Sequence, residues 1–456
     1  MGRGKHFVRL LGATVVTAVL MHYQLRRSAF SLAIAVTIGA SNAAAQDADP
    51  LPVNKDTLYR FPNTIAGEFT PGTGFNIIST KFGSLNISTY GLFRYLNQMP
   101  AGQTFTDHLG QVRTSNLQNS LNWQRTMVWL TGFFYDPRFR YNITGWSLGA
   151  TQQTLIFGNV QFIASNYFVI GVGIVPTLTA RSMQGSWPFW AGSDRLMVEE
   201  FFRGGFSSGA FVTGEIAPRL FYTLSVNNNL SQLGQVQAND SRDLAYSGSV
   251  RWQPTTGEFG PRNGFGDLEY HTRVATQFGA SGGSSREFRG TPDDQAPVAS
   301  QVKLSDGINP FDFGALAPGV TVRNLSYHEL AIDAGVKYRG FAFQSEFYFR
   351  TLNNFVADGP LPLTSIYDRG FMAEMGYMVV PKRLNLDVFG GYVSDQFRRF
   401  PWELGGGLNY YPSGTRSWRL NLHVMHVDKS PASSFFGYYL AGQTGTTFSL
   451  GTDVLF

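Results

Sequence analysis

Cysteine is absent from this 456-residue chain, which removes disulfide staples and thiolate metal sites from any account of its stability. Long apolar runs are scarce too. Beyond the amino-terminal leader the longest is Tyr167 to Val175, far short of the roughly 20 residues a membrane helix needs. No Pro/Ser-rich linker or compositional break divides the chain, although a soluble protein of this length would ordinarily fold as two or three domains. Lysine is sparse as well: beyond the leader it occurs only at Lys55, Lys81, Lys303, Lys337, Lys382 and Lys429, and every other base is arginine. What is abundant is glycine (51), phenylalanine (39) and tyrosine (20). With a mean hydropathy near neutral, that composition suits alternating strands in a closed sheet.

The amino terminus reads as an export signal. Arg26 and Arg27 form the charged segment, Ala29 to Gly39 the apolar segment, and Ala43-Ala44-Ala45 a small-residue cleavage site before Gln46. Residues 1–45 are therefore expected to be leader and signal peptide, with Met1 or Met21 as the start. Five of the 36 lysines and arginines lie there (Arg3, Lys5, Arg9, Arg26, Arg27), leaving 31 against 31 acids in the mature chain. A mature charge near zero gives no argument for nucleic acid or anionic lipid as partner.

The carboxyl terminus is the most telling stretch. Phe448, Leu450, Thr452, Val454 and Phe456 share one face of a final strand that ends on an aromatic. Period-2 alternation gives one lipid-facing and one lumen-facing row. Such segments recur at about 83–96, 121–134, 139–148, 155–165, 168–176, 207–215, 220–230, 244–253, 267–278, 325–338, 341–353, 370–380, 384–394, 403–411, 417–427 and 446–456. The expected fold is all-β: a transmembrane antiparallel barrel of about 16 strands spanning 83–456, preceded by a mature segment 46–82. Short links carrying Pro or Gly, such as Ile216-Ala217-Pro218-Arg219 and Arg339-Gly340, alternate with long ones, as tight periplasmic turns and larger outer loops require. The link at 254–266 is long for its side.

Motifs for chemistry dissolve on inspection. Gly145-Trp146-Ser147-Leu148-Gly149 matches a nucleophile elbow, but lacks the following helix that an elbow needs. His423 and His426, three apart on a strand, point to opposite faces, His423 to the lumen and His426 to lipid or the rim. His271 and His328 show no ligand partner at metal-binding spacing and are expected to pack on the lumen wall. Glycine stretches 204–209 and 405–407 lack the Lys-Ser/Thr of a phosphate cradle. No catalytic residue, cofactor or metal is expected.

Polarity gathers on the lumen rows. Parity with apolar neighbours points Arg94, Arg140, Arg251, Arg273, Arg350 and Arg419 inward, flanked by Asn142, Thr144, Ser249, Gln344 and Asn421. Arginine lining a pore can guide anions. Glu269, Glu346 and Glu374 also project inward, so the same arginines can equally brace the wall. The segment Thr177 to Phe206 holds Met183, Trp187, Phe189, Trp190, Met197, Phe201 and Phe202 beside Arg181, Asp194, Arg195, Glu199, Glu200 and Arg203. That is too much apolar surface for a solvated loop. It should fold inward as a constriction, packing against a neighbouring subunit being the competing reading.

The stretches GSLNISTYGLFRYLNQ (83–98), YDPRFRYNITGW (135–146), KYRGFAFQSEFYFR (337–350), GYMVVPKRLNLDVFGGY (376–392) and GGLNYYPSGTRSWRLNL (406–422) resemble the phosphate-selective porin O/P family of outer-membrane proteins. The resemblance runs nearly end to end. It implies a sixteen-stranded, trimeric, general or anion-preferring porin of the bacterial outer membrane, with an inward third loop and an arginine-lined lumen. Its partners would be outer-membrane lipid, the barrel-assembly machinery acting on the strand that ends at Phe456, and small solutes or anions, phosphate among them. The family's phosphate site uses clustered lysines, whereas the six mature lysines here are scattered. The expected function is a passive channel for small hydrophilic solutes with modest anion preference. The alternatives are an outer-membrane lipid hydrolase, which needs a Ser–His pair on the outer face, and a structural or adhesin barrel, favoured by a plugged lumen.

Overall fold

The computed structural model describes residues 72–149, 153–184, 188–230, 243–260, 264–289, 300–432 and 437–456. The expected signal peptide and the first part of the mature segment, 46–71, lie outside them. Among the described residues are nineteen strands: β1 (Phe75–Thr80), β2 (Gly83–Met99), β3 (Gln103–Thr106), β4 (Val112–Ser115), β5 (Asn119–Phe134), β6 (Asp136–Leu148), β7 (Gln153–Ser165), β8 (Phe168–Pro176), β9 (Phe206–Ala217), β10 (Leu220–Asn227), β11 (Ala245–Trp252), β12 (Ala275–Phe288), β13 (Val322–Tyr338), β14 (Phe341–Ala357), β15 (Ser365–Val380), β16 (Leu384–Asp395), β17 (Trp402–Tyr410), β18 (Trp418–Asp428) and β19 (Gly445–Leu455). Sixteen of these, β2 and β5 to β19, pair antiparallel with their neighbours in chain order, and β19 pairs back onto β2. The result is a closed antiparallel barrel, in which every strand edge finds a partner.

Alternation explains which side faces lipid. On β19, Leu450 and Val454 are exposed while Ser449 and Asp453 are buried. The same holds for Leu420 and Val424 against Arg419, Asn421 and His423 on β18. A barrel with an apolar outer surface and a polar inner row belongs in the bacterial outer membrane. Four periplasmic turns are very tight because Tyr135, Arg219, Arg339 and Lys382 adopt left-handed φ of 63°, 68°, 47° and 59°.

Two elements depart from the sequence reading. The ninth barrel strand is β12, Ala275–Phe288, rather than 267–278. Asp267 to Val274 alternates in polarity like a strand, but Tyr270 has φ 61°, which no extended strand accommodates. The true strand continues through Gly279-Ala280-Ser281-Gly282-Gly283-Ser284, a run of weak β formers. Gly279 sits where a Cβ would lie 2.0 Å from a carboxylate oxygen of its cross-strand partner Asp333. The second departure is β1, which lies within the segment expected to precede the barrel. It pairs with Gly83–Ile87 of β2, while β19 takes Tyr90–Met99 of that strand. Between them Phe456 exchanges backbone hydrogen bonds of 2.8 and 3.1 Å with Thr89, and its ring lies 5.5 Å from that of Phe75. The amino-terminal strand thus continues the line of the carboxyl-terminal one.

Placing a charge on the outer face should be expensive. Leu450→Arg is expected to cost about 2–4 kcal/mol if the position lies near the bilayer midplane, measured by urea unfolding in lipid vesicles. A change within experimental error would show that this face does not meet lipid.

Candidate functional site

The long connection between β8 and β9, residues 177–205, is the third outer loop. It contains a 3-10 turn at Arg181–Gln184 and a short helix at Met197–Phe202. Of the side chains singled out there, Arg181, Asp194, Arg195, Glu199, Glu200 and Arg203 are all buried. The loop's apolar side packs on inward-facing residues of the wall: Met183, Met197, Val198, Phe201 and Phe202 join Tyr348, Met372, Phe389 and Met425 in one core inside the barrel. Phe202 stacks on Tyr348 with ring centres 4.9 Å apart.

Wall arginines hold this loop. Arg94 of β2 donates to Asp194 at 3.2 Å, and Arg125 of β5 donates to the same carboxylate at 3.0 Å. Arg419 of β18 donates to Asp453 of β19 at 2.7 and 2.9 Å and to the carbonyls of Trp190, Ala191 and Gly192. Arg350 of β14 pairs with Asp368 at 2.8 Å, reaches the Phe201 carbonyl at 3.4 Å and lies over the Phe201 ring. Each of these guanidiniums joins the loop to an acid or a strand of the wall, a use suited to its planar fork. Arg140 is buried on β6 and reaches the Pro137 carbonyl, and Arg251 on β11 reaches Gln184 of the loop at 3.4 Å.

Within the loop the charges are locally balanced. The Arg181 backbone N–H donates to Glu346, and its side chain approaches Asp333 at 3.9 Å. Arg195 donates to Ser182 and lies over the Trp190 ring. Arg203 pairs with Glu200 at 2.9 Å. Burial pushes the Glu199 carboxyl up, against the pull of Arg195 and Ser182.

Four expectations are corrected. Arg273 is exposed and lies in the link 253–274, because β12 begins only at Ala275. His271 does not pack on a strand wall. Its ring nitrogens meet Asp267 and, at 2.9 Å, Glu258. Burial disfavours the imidazolium, but those two carboxylates override it and raise its pKa to about 9. His328 faces outward and bonds to Ser284. Glu269 likewise lies in the link and is exposed, whereas Glu346 and Glu374 are inward and buried. His423 is buried against Asp387 at 3.1 Å and His426 is exposed, opposite faces as their spacing requires. Ser147 lies in a strand ladder opposite Thr126 and Thr154, not in a strand–turn–helix elbow. The link 253–274 also folds inward: Phe265 N–H donates to the Phe189 carbonyl of the third loop at 2.7 Å, and Arg181 lies over the Phe259 and Phe265 rings.

The other outer loops knit together above. The hairpin β3–β4 carries His108, whose backbone N–H and ring both meet Asp306 of the β12–β13 connection, at 2.9 and 2.7 Å. Arg399 of the β16–β17 loop joins the same carboxylate at 2.6 Å. Burial opposes the charge on Asp306, but His108 and Arg399 override it and hold its pKa at about 2.

No family model matches the chain, and no curated protein matches it. Solved structures do match. Outer-membrane expressed OmpT of Vibrio cholerae shares 11% identity, with 83% of this chain and 100% of that one covered, at a TM-score of 0.51. A trimer form of in-vitro folded OmpT from the same organism gives 10%, 82% and 100%, at 0.51. An anion-selective porin from Comamonas acidovorans gives 12%, 82% and 100% at 0.47. The likeness shows an outer-membrane barrel fold and nothing finer.

Asp194 is the point to test in the loop's attachment. Asp194→Ala leaves Arg94 and Arg125 buried without their shared acid, and should destabilise by about 3–5 kcal/mol while speeding amide exchange over 188–196. Unaltered exchange there would mean the loop is held without Asp194, by its apolar packing and the bonds from Arg350 and Arg419. The outer latch makes a pH prediction. The Asp306 pKa of about 2 lies below the unfolded value of about 3.9, so its contribution is complete above about pH 4 and is lost as pH falls through about 2. Exchange over 103–115 should rise across that window, and at neutral pH in Asp306→Asn.

Proposed function

We propose that the protein is a passive outer-membrane channel for small hydrophilic solutes, working by pore width and local charge, with no covalent step or cofactor. The observation that carries this reading is the third loop, drawn inside the barrel by Arg94, Arg350 and Arg419, an arrangement suited to narrowing a conduit. Membership of the phosphate-selective porin O/P family, a trimeric state and a mature start at Gln46 are finer parts of the same proposal, resting on the sequence resemblance and the leader pattern. Any anion preference is modest, since the inward arginines face acids: Asp194, Asp333, Asp368 and Asp453 all lie within ion-pairing distance of one.

Planar-bilayer recordings test the reading. Purified protein should give discrete conductance steps in KCl, with a reversal potential favouring anions slightly. Replacing Arg181, Arg195 and Arg203 together by Ala should move that potential toward cation preference, by an amount that shrinks as salt rises. A barrel that inserts but never conducts would overturn the channel. A triple variant with unchanged potential would remove this loop from the ion path.

A further inference from the structure

Below the third loop, the link 253–274 gathers a group of side chains that the channel reading does not use. One ligand atom each from Asp267, Glu269 and His271 lies within 4.8 Å of the others. Glu258 adds a carboxylate oxygen 2.9 Å from the His271 ring. We propose that Asp267, Glu269 and His271 form a binding site for a divalent cation of the zinc class, with Glu258 orienting the imidazole from its other ring nitrogen.

The donor set is one imidazole and carboxylate oxygens, which suits Zn2+ and its first-row neighbours. Charge also argues for a divalent ion. Glu258, Asp267 and Glu269 bring three negative charges, and the nearby cation is Lys337, held by the carbonyls of Phe259 and Gly264 at 2.8 and 2.6 Å. With a neutral imidazole, one divalent ion brings that group to zero; the ion takes a ring nitrogen and the proton there passes to water. Access exists because Glu269 is exposed, while Asp267 is fully buried and pre-oriented. Asp267 accepts from the Gly340 N–H at 2.8 Å, and the His271 carbonyl accepts from the Arg339 N–H at 2.8 Å. Both bonds fix the ligands to the β13–β14 turn, the kind of outer hydrogen bonding that orients metal ligands. An ion here would pin the link against that turn, and with it Phe259 and Phe265 beneath Arg181.

The test is equilibrium binding to detergent-purified, chelator-treated protein, which is independent of conductance. Isothermal titration with ZnCl2 should show one site per chain, and hydrogen exchange over 264–274 should slow on addition. Removing an outer partner of a metal ligand commonly costs about 10–100-fold in affinity, so losing a ligand in His271→Ala should cost at least that. Glu269→Gln alters an exposed side chain, keeps the fold testable should His271→Ala fail to assemble, and should also weaken binding. Absence of stoichiometric uptake by the wild type, or equal affinity in Glu269→Gln and wild type, would overturn the site and leave His271 as a charge-paired imidazolium only.

Discussion

Closure of the sheet is the constraint from which the rest follows. In lipid an unpaired strand edge has no water to satisfy it, so the pairing of β19 with β2 must leave no length of edge bare. β2 has 17 residues and β19 has 11, and the difference is covered by β1, laid end to end with Phe456. Closure also forces every second side chain inward. Because the outer face must be apolar, the inner face inherits the polar residues, and their charges must be satisfied within the barrel.

That requirement shapes the interior. Had the inner face met only water, its arginines would need no partners. Instead a 29-residue connection with its own apolar side enters, and the inner face must supply both apolar contacts and bonds for the loop's carbonyls. Tyr348, Met372 and Phe389 serve the first need and Arg350 and Arg419 the second, while Arg94 holds the loop through the Asp194 carboxylate. Loop and wall are therefore one packed unit, and a substitution on β14 or β18 acts on the loop as directly as a change within it.

Much of this was legible in the sequence, because alternation and turn chemistry are local. Fifteen of the sixteen barrel strands lie where the alternation places them, and the inward setting of Arg94, Arg140, Arg251, Arg350 and Arg419 follows from parity. What failed did so for non-local reasons. Asp267 to Val274 mimics a strand that the backbone at Tyr270 cannot form, which misplaced Arg273 and hid the partners of His271. Arg125 was missed because parity with Leu121 and Trp123 sends it outward. A bulge skips Gln124, pairing Leu92 with Arg125 and Phe93 with Trp123, and turns Arg125 toward Asp194. No pattern along β5 alone announces that shift. Inward acids such as Asp368 and Asp453 sat in rows of the same parity and needed only to be counted with the arginines.

The choice of arginine over lysine follows from the same geometry. Arg419 has five N–H donors, and five bonds are made: two to Asp453 and one each to the carbonyls of Trp190, Ala191 and Gly192. A lysine has three donors on one nitrogen and cannot hold a wall carboxylate and three loop carbonyls together. A guanidinium whose donors are all engaged has none to offer a passing anion. Its charge still acts at a distance, and Asp453, shared with Arg416, offsets part of the field. Bracing and guidance therefore compete for the same atoms, and at Arg419 bracing wins. Arg350 follows it closely, with bonds to Asp368 and to the carbonyls of Phe201 and Lys303.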